Sequence, residues 1–255
     1  MIIKNGLVFN AEGRFEEKEV YVEDEKISKT GEGEIIDATG LYVIPGLTDI
    51  HFHACVGYDF CDGTKEAISK MAEYELKNGI TTICPASMTF SEEKLSEIYK
   101  TAREYDGKEG AELVGINMEG PFISMEKKGA QNPKFIHKPD ADMFYRLQEA
   151  AGGLIKLVDI APETDGAIEC IKAIKDDVRV SVAHTAADYD EAKLAFDNGA
   201  KHVTHLYNGM NDFYHRSPGV IGAACDNEDV TVELIVDGVH SHPSTVRTTF
   251  KMFGD

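Results

Sequence analysis

The stretch Pro45-Gly46-Leu47-Thr48-Asp49-Ile50-His51-Phe52-His53 is an apolar run that stops at two histidines, and three later runs stop in a similar way. Ala111 to Met118 ends at Glu119-Gly120-Pro121, Val178 to Ala183 at His184, and Lys201 to Thr204 at His205. Residues two apart on a strand share a face, so His51 and His53 point together. In a barrel of parallel strands, the strand ends converge on one mouth, where active sites are built. Imidazoles and a carboxylate meeting there form a divalent-metal site suited to zinc or ferrous iron.

The spacing outward from these runs predicts the rest of the fold. Thr64 to Asn78 carries Ala67, Ile68, Met71 and Leu76 near helical spacing and stops at Gly79. Ile80 to Cys84 then reads as a strand, and Ser91 caps a helix that runs to about Tyr105. Further strands are expected at Leu154 to Ile160, His202 to Leu206 and Val230 to Val236, with helical segments between most of them. Alternation of this kind is the βα signature of a parallel sheet. Seven strands are countable, and Gly120 to Pro139 reads as an irregular insert rich in Gly, Pro and Lys.

The first 45 residues differ. Met1 to Asn10 and Glu19 to Thr30 alternate apolar and polar residues between turn signals, as short antiparallel strands do. Residues 1–45 are therefore expected to form the N-terminal part of a small β-sandwich domain. Residues 46–255 are expected to form an α/β, TIM-like (β/α)8-type barrel, incomplete at about seven strands.

Composition narrows the function. The chain has 255 residues, 42% apolar and 28% charged, which suits a soluble globular protein with one barrel of ordinary size. No apolar run approaches the roughly 20 residues that span a bilayer, so no membrane role is expected. The net charge of −19 argues against nucleic acid, whose phosphates demand a basic footprint. Five scattered cysteines without a CxxC pair point to a reduced, cytoplasmic setting.

The chemistry follows from residue type. Glu119 ends a buried strand, and a buried carboxylate needs a partner, either a cation or a basic side chain. His184 in Val-Ala-His-Thr and His205 in Val-Thr-His-Leu repeat one design, and the recurrence favours function over an ordinary core histidine. His202, three residues before His205, faces the other way and is left out of the site. A bound divalent ion lowers the pKa of its water from 15.7 to about 7 and polarises a carbonyl, which is the logic of hydrolysis. Asn208-Gly209, Arg216 and Asp237-Gly238-Val239-His240 follow strands at the same mouth. Arg216 suits a phosphate through its forked donors, although a surface ion pair is an equal reading.

Taken in order, Pro-Gly-Leu-Thr-Asp-Ile-His-Phe-His, Met-Glu-Gly-Pro-Phe, Ala-His-Thr, Thr-His-Leu-Tyr-Asn-Gly-Met and Val-Asp-Gly-Val-His resemble the N-acetylglucosamine-6-phosphate deacetylases of the amidohydrolase superfamily. The resemblance spans the whole chain. It implies Glu119, His184 and His205 as the main metal ligands and His51 and His53 as ligands of a second position, so that one or two ions are held. It implies a backbone contact from Ala130 to the sugar, phosphate-side contacts from Asn208, Gly209 and Arg216, and a substrate contact from His240. Gln131 stands where some members carry His, so its contact with the acetyl group is expected to differ.

The resemblance also implies a proton-shuttling aspartate at the end of an eighth strand, whereas the sequence stops at Asp255 in the seventh helix. Asp237 belongs to the seventh-strand motif and does not replace it. The catalytic aspartate is thus expected to be absent from this chain. Metal-dependent deacetylation of N-acetylglucosamine 6-phosphate to glucosamine 6-phosphate and acetate would be impaired. The alternatives are a catalytically inactive sugar-phosphate or metal-binding homologue, whose open sheet edges a homodimer would cover, and a hydrolase of another N-acyl substrate.

Overall fold

The structure, a computed structural model, describes residues 1–254, and the chain divides into one unit of Met1–Leu47 and a second beginning at Thr48. The first unit is built from strands of two to four residues in two sheets. One orders Lys26–Ser28, Val20–Glu23, Ile2–Lys4 and Ile35–Asp37; the other orders Phe15–Glu17, Leu7–Phe9 and Tyr42–Val43. The alternating sequence pairs Val20–Glu23 with Lys26–Ser28 as a hairpin whose turn residues Asp24 and Glu25 both take positive φ. A Cβ on Gly6 would lie 2.8 Å from Val43 Cγ2 and 2.9 Å from Ala38 Cβ, so only glycine fits there. Around buried Ala38 the unit leaves large apolar side chains open: Ile27 is 84% exposed, Tyr42 68% and Leu41 59%.

The second unit is a run of seven strand–helix repeats. Its strands are Leu47–Asp49, Ile80–Ile83 continued by Ala86–Ser87, Glu112–Leu113 continued by Ile116–Met118, Ile155–Ile160, Arg179–Val182, His202–Val203 and Thr231–Val232. They lie side by side in chain order, and the pairs from the second strand to the seventh are all parallel. Among the described residues the ladder does not close from the seventh strand back to the first. An incomplete α/β barrel results.

The helices are α1 (Lys65–Lys77), α2 (Glu92–Arg103), α3 (Ala141–Ala150), α4 (Ala167–Ile174), α5 (Tyr189–Asp197), α6 (Gly219–Cys225) and α7 (Pro243–Phe253). Several starts are set by an oxygen that takes an otherwise unpaired backbone N–H. Thr64 accepts from Ala67 N, Ser91 from Lys94 N and Asp140 from Met143 N, while Asp188 and Glu191 cap each other's backbone. Along α2 the buried residues are Leu95, Ile98, Tyr99 and Ala102, a stripe at spacings of three and four that faces the sheet. The strands beneath are buried nearly throughout, because helices cover the outside and side chains fill the inside.

Two departures from the sequence reading bear on the site. The sixth and seventh strands are shorter than the apolar runs His202 to Leu206 and Val230 to Val236; the sixth ends before the left-handed exit at His205. A short hairpin, Ala54–Cys55 with Tyr58–Asp59, follows His53, where the sequence carries no strand signal. The insert 120–139 is irregular apart from one 3-10 turn at Pro133–Phe135.

Candidate metal centre

His51, His53, His184 and His205 each lie just past a strand end, and Glu119 sits among them. His184 and His205 leave their strands with φ of 43° and 33°, a left-handed backbone that costs a side-chain-bearing residue energy. Two neighbouring strands thus make the same strained exit, and each sends an imidazole to the same carboxylate. His184 Nε2 lies 3.2 Å and His205 Nε2 3.3 Å from Glu119 Oε1. From the first strand, His51 Nε2 is 3.3 Å from Oε1 and His53 Nε2 is 3.2 Å from Oε2. Glu119 itself is 2% exposed.

The outer nitrogen of each ring fixes the inner one. His184 Nδ1 donates to the Lys127 carbonyl at 2.8 Å, His205 Nδ1 to that of Asn208 at 2.9 Å, and His53 Nδ1 to that of Ala86 at 3.2 Å. His51 Nδ1 lies 2.6 Å from Glu233 Oε2. Carbonyls and carboxylates only accept, so Nδ1 carries a hydrogen and Nε2 is the nitrogen that faces Glu119, as a donor while the ring is protonated and as a lone pair once it is neutral. The Nε2 atoms of His184 and His205 are 3.1 Å apart. Two ring nitrogens at that separation beside a carboxylate need a proton or a cation among them. The donor set fits a divalent ion: Glu119, His184 and His205 form one group of ligating atoms within 4.8 Å of one another, and His51, His53 and Glu119 form another.

The same electrostatics act on the titrating groups. Burial opposes charge on Glu119, but hydrogen bonds from the four imidazoles hold its carboxyl well below the usual carboxylate range. Burial likewise works against a charged His51, yet Glu119 and Glu233 together bring it up to about 11. For His184 burial is again the largest opposing effect, but the hydrogen bond and charge of Glu119, with the Lys127 carbonyl and the charge of Asp159, together raise the pKa. The pocket is electronegative and holds positive charge.

The remaining predicted residues divide into two groups. Gln131 is buried beside the centre, where its amide donates to Glu119 Oε2 at 2.6 Å and its oxygen accepts from Thr89 N at 2.6 Å. Gln131 thus holds the carboxylate instead of presenting a free amide. Gly209 lies against the rings: a Cβ there would be 3.1 Å from His184 Nδ1 and 3.2 Å from His205 Cε1, and its φ is 61°. Asn208 supplies its carbonyl to His205 and its amide to Leu206 O. Ala130 is exposed next to buried Gln131.

Arg216 and His240 are both exposed. Arg216 is exposed on the Tyr214–Ser217 turn and lines a recess of about 380 Å³ with Asp188, Tyr189 and Asp190. His240 is exposed and held by Asp237 Oδ2 at 2.7 Å. Among the described residues neither forms a hydrogen bond or ion pair with the imidazole cluster.

Sequence reasoning misses Glu233 and Asp159, although the signal that finds Glu119 applies to both. Each is a lone acid in an apolar run, Val-Thr-Val-Glu-Leu-Ile-Val and Ile-Lys-Leu-Val-Asp-Ile. Asp159 is fully buried, accepts from Thr204 Oγ1 at 2.8 Å, and is pushed well above the usual range by burial and by Glu119. His202, which its spacing places outside the ligand set, is buried with its Nε2 3.7 Å from Glu233 Oε1.

A parallel α/β sheet with histidines and a glutamate at its strand ends is the architecture of a metal-dependent hydrolase, and residues 42–254 match the amidohydrolase family, to which this chain belongs. It is 38% identical to an N-acetylglucosamine-6-phosphate deacetylase of Bacillus subtilis over 98% of its length and 30% identical to one of Lysinibacillus sphaericus over 100%. The chain spans 63% and 68% of those two proteins. It also superposes, with a TM-score of 0.91 and 28% identity, on a Mycobacterium smegmatis N-acetyl-D-glucosamine-6-phosphate deacetylase mutant solved with N-acetyl-D-glucosamine-6-phosphate, covering 100% of this chain and 68% of that one.

Proposed function

We propose that this chain binds a divalent metal, zinc or iron, and carries the amide-hydrolysing centre of an N-acetylglucosamine-6-phosphate deacetylase. The observation that carries the reading is the pair of inward Nε2 atoms of His184 and His205, 3.1 Å apart and both on Glu119 Oε1. Glu119, His184 and His205 would hold one ion, and His51 and His53 would share Glu119 with a second. When bound, such an ion supplies Lewis acidity and lowers the pKa of water toward neutrality.

The chain's own residues do the rest. The carbonyls of Lys127, Asn208 and Ala86 lock the rings in one tautomer, which keeps the ligand atoms aimed inward. Gln131 fixes the orientation of Glu119. Ala130, Asn208, Gly209, Arg216 and His240 are assigned to the sugar phosphate, with Arg216 on the phosphate. Hydrolysis also needs a group that takes a proton from water and returns it to the amine. Among the described residues the carboxylates paired with the four clustered imidazoles are Glu119 and Glu233, and both are committed to them. Turnover by this chain is therefore expected to be weak beside that of a full-length relative.

Five free thiols, with no disulfide among the described residues, support a reducing, cytoplasmic setting. The exposed apolar side chains of the first unit and the open sheet of the second support a homodimer.

The test is metal analysis together with acetate release from N-acetylglucosamine and from its 6-phosphate. Bound metal, measurable but slow release, and a preference for the phosphorylated sugar that Arg216→Ala reduces are the expected results. A metal-free chain that zinc and ferrous iron leave unloaded overturns the metal reading. Indifference to the phosphate overturns the substrate.

A further inference from the structure

Of the four imidazoles around Glu119, three are backed by neutral backbone carbonyls and one, His51, by a carboxylate. That carboxylate comes from Glu233, directly after the seventh strand, while His51 follows the first. The two strands have no ladder between them among the described residues, yet their side chains meet at 2.6 Å. We propose that Glu233 is a positioning residue that holds His51 for the second metal position, the one made by His51, His53 and Glu119. This rests on the metal-binding reading above.

The geometry constrains Glu233 before it constrains His51. Glu233 N donates to the Val203 carbonyl at 2.9 Å, and its own carbonyl accepts from Leu206 N at 2.8 Å, so its backbone is fixed on both sides to the sixth strand and the turn after it. Its Oε2 takes His51 Nδ1 and, at 3.4 Å, the backbone N–H of His205. Its Oε1 is buried without a hydrogen-bond partner, and His202 Nε2 stands 3.7 Å away. A buried carboxylate with half its capacity unused is costly to keep unless the other half does something.

What it does follows from the tautomer. A carboxylate on Nδ1 keeps a hydrogen there, so Nε2, which faces Glu119 Oε1 at 3.3 Å, is the nitrogen left for an ion to take. It also adds a negative charge behind the ring, which raises the donor strength of Nε2. The position made by Glu119, His184 and His205 has no such charge behind its rings. Occupancy of the two positions is therefore set separately, and Glu233 controls that of the His51 side.

The experiment compares the full chain with Glu233→Ala, Glu233→Gln, His51→Ala and the double variant Glu233→Ala/His51→Ala. Zinc content is measured after dialysis, and the two affinities by competition with a chromophoric chelator. The expected result is two ions in the parent chain, with the weaker loosened about 10- to 100-fold in Glu233→Ala and the tighter unchanged. Glu233→Gln, which keeps an acceptor oxygen, should lose less, and Glu233→Ala should add nothing once His51 is alanine. Unchanged binding in Glu233→Ala, equal loosening in the His51→Ala background, or a single ion in the parent overturns the role of Glu233. Should Glu233→Ala fail to fold, Glu233→Gln decides: wild-type affinity for both ions is the overturning result. A parent chain that binds no zinc at all defeats instead the metal reading on which this one stands.

Discussion

Glu119 Oε1 lies within 3.3 Å of the Nε2 atoms of His51, His184 and His205, and the latter two are 3.1 Å from each other. Three imidazole nitrogens on one carboxylate oxygen form a folded arrangement that a cation stabilises and the unfolded chain cannot reproduce. Binding to the native state alone adds about 2.7 kcal/mol at a free ligand concentration of 100 times Kd. Zinc should therefore raise the urea midpoint of unfolding, and a chelator should reverse the shift. Glu119→Gln should abolish the difference between the two curves. Coincident curves with and without zinc would contradict the ligand assignment.

Metal binding should release protons. In the metal-free chain His51 is brought up to about 11, against its own burial, by Glu119 and Glu233. A raised pKa contributes stability that is fully present below the ordinary value near 6.5 and is lost as pH rises through about 11. Between those limits the folded chain keeps a proton that an ion at His51 must displace. Zinc affinity should fall as pH drops from about 8 to about 6, and calorimetry in buffers of different ionisation enthalpy should count at least one proton released per chain. A proton count of zero near neutral pH would show that His51 is not a ligand.

The strand–helix order is legible in the sequence because the apolar runs are long and each ends in a marked residue. The fourth strand, Ile155–Ile160, is buried at every position but Lys156, so it offers little polar interruption to mistake for a turn. Caps such as Thr64 and Ser91 mark the helix starts. The five residues of the proposed centre stand out because imidazole and carboxylate are conspicuous at strand ends. Glu233 does not, because it sits inside an apolar run whose strand stops earlier than the run suggests. Arg216 and His240 are assigned by motif, and both side chains are exposed. The resemblance implies that the contact of Gln131 with the acetyl group differs from that of His-bearing members, and its side chain pairs with Glu119 and Thr89, a pairing between residues far apart in the chain.

The Asp237–His240 turn makes a local prediction. Asp237 is held at about 2 by hydrogen bonds from the His240 side chain and from the backbone of His240 and Val239. A depressed carboxyl contributes stability present above its ordinary value near 3.8 and lost as pH falls through about 2. His240→Ala should move the Asp237 midpoint upward toward 3.8, read from its carboxyl carbon by NMR. A midpoint that stays near 2 would assign the whole effect to the backbone donors.

The thiols should react slowly. Burial pushes Cys61, Cys84 and Cys170 up to about 12 and Cys55 up to about 11. The thiolate is the nucleophile, so little of it is present in these four at about pH 8. A thiol reagent at that pH should label them much faster after denaturation than before, and rapid labelling of Cys84 in the native chain would contradict its burial.

The core prediction separates stability from the metal centre. Phe144 is fully buried on α3, whose start is held by the Asp140 side chain accepting from Met143 N at 3.1 Å. Truncation to alanine removes the ring and leaves a cavity that the surrounding helices fill only in part, at a cost of about 3–5 kcal/mol. Phe144→Leu keeps most of the volume and should cost less. The ring lies on a helix face and supplies no ligand, so a Phe144→Leu chain that stays folded should bind zinc with the stoichiometry of the parent. Urea unfolding of the three proteins, each with its zinc content measured, checks both halves. Loss of metal in folded Phe144→Leu would mean that packing beneath α3, and not the hydrogen bonds behind the rings, sets the geometry of the centre.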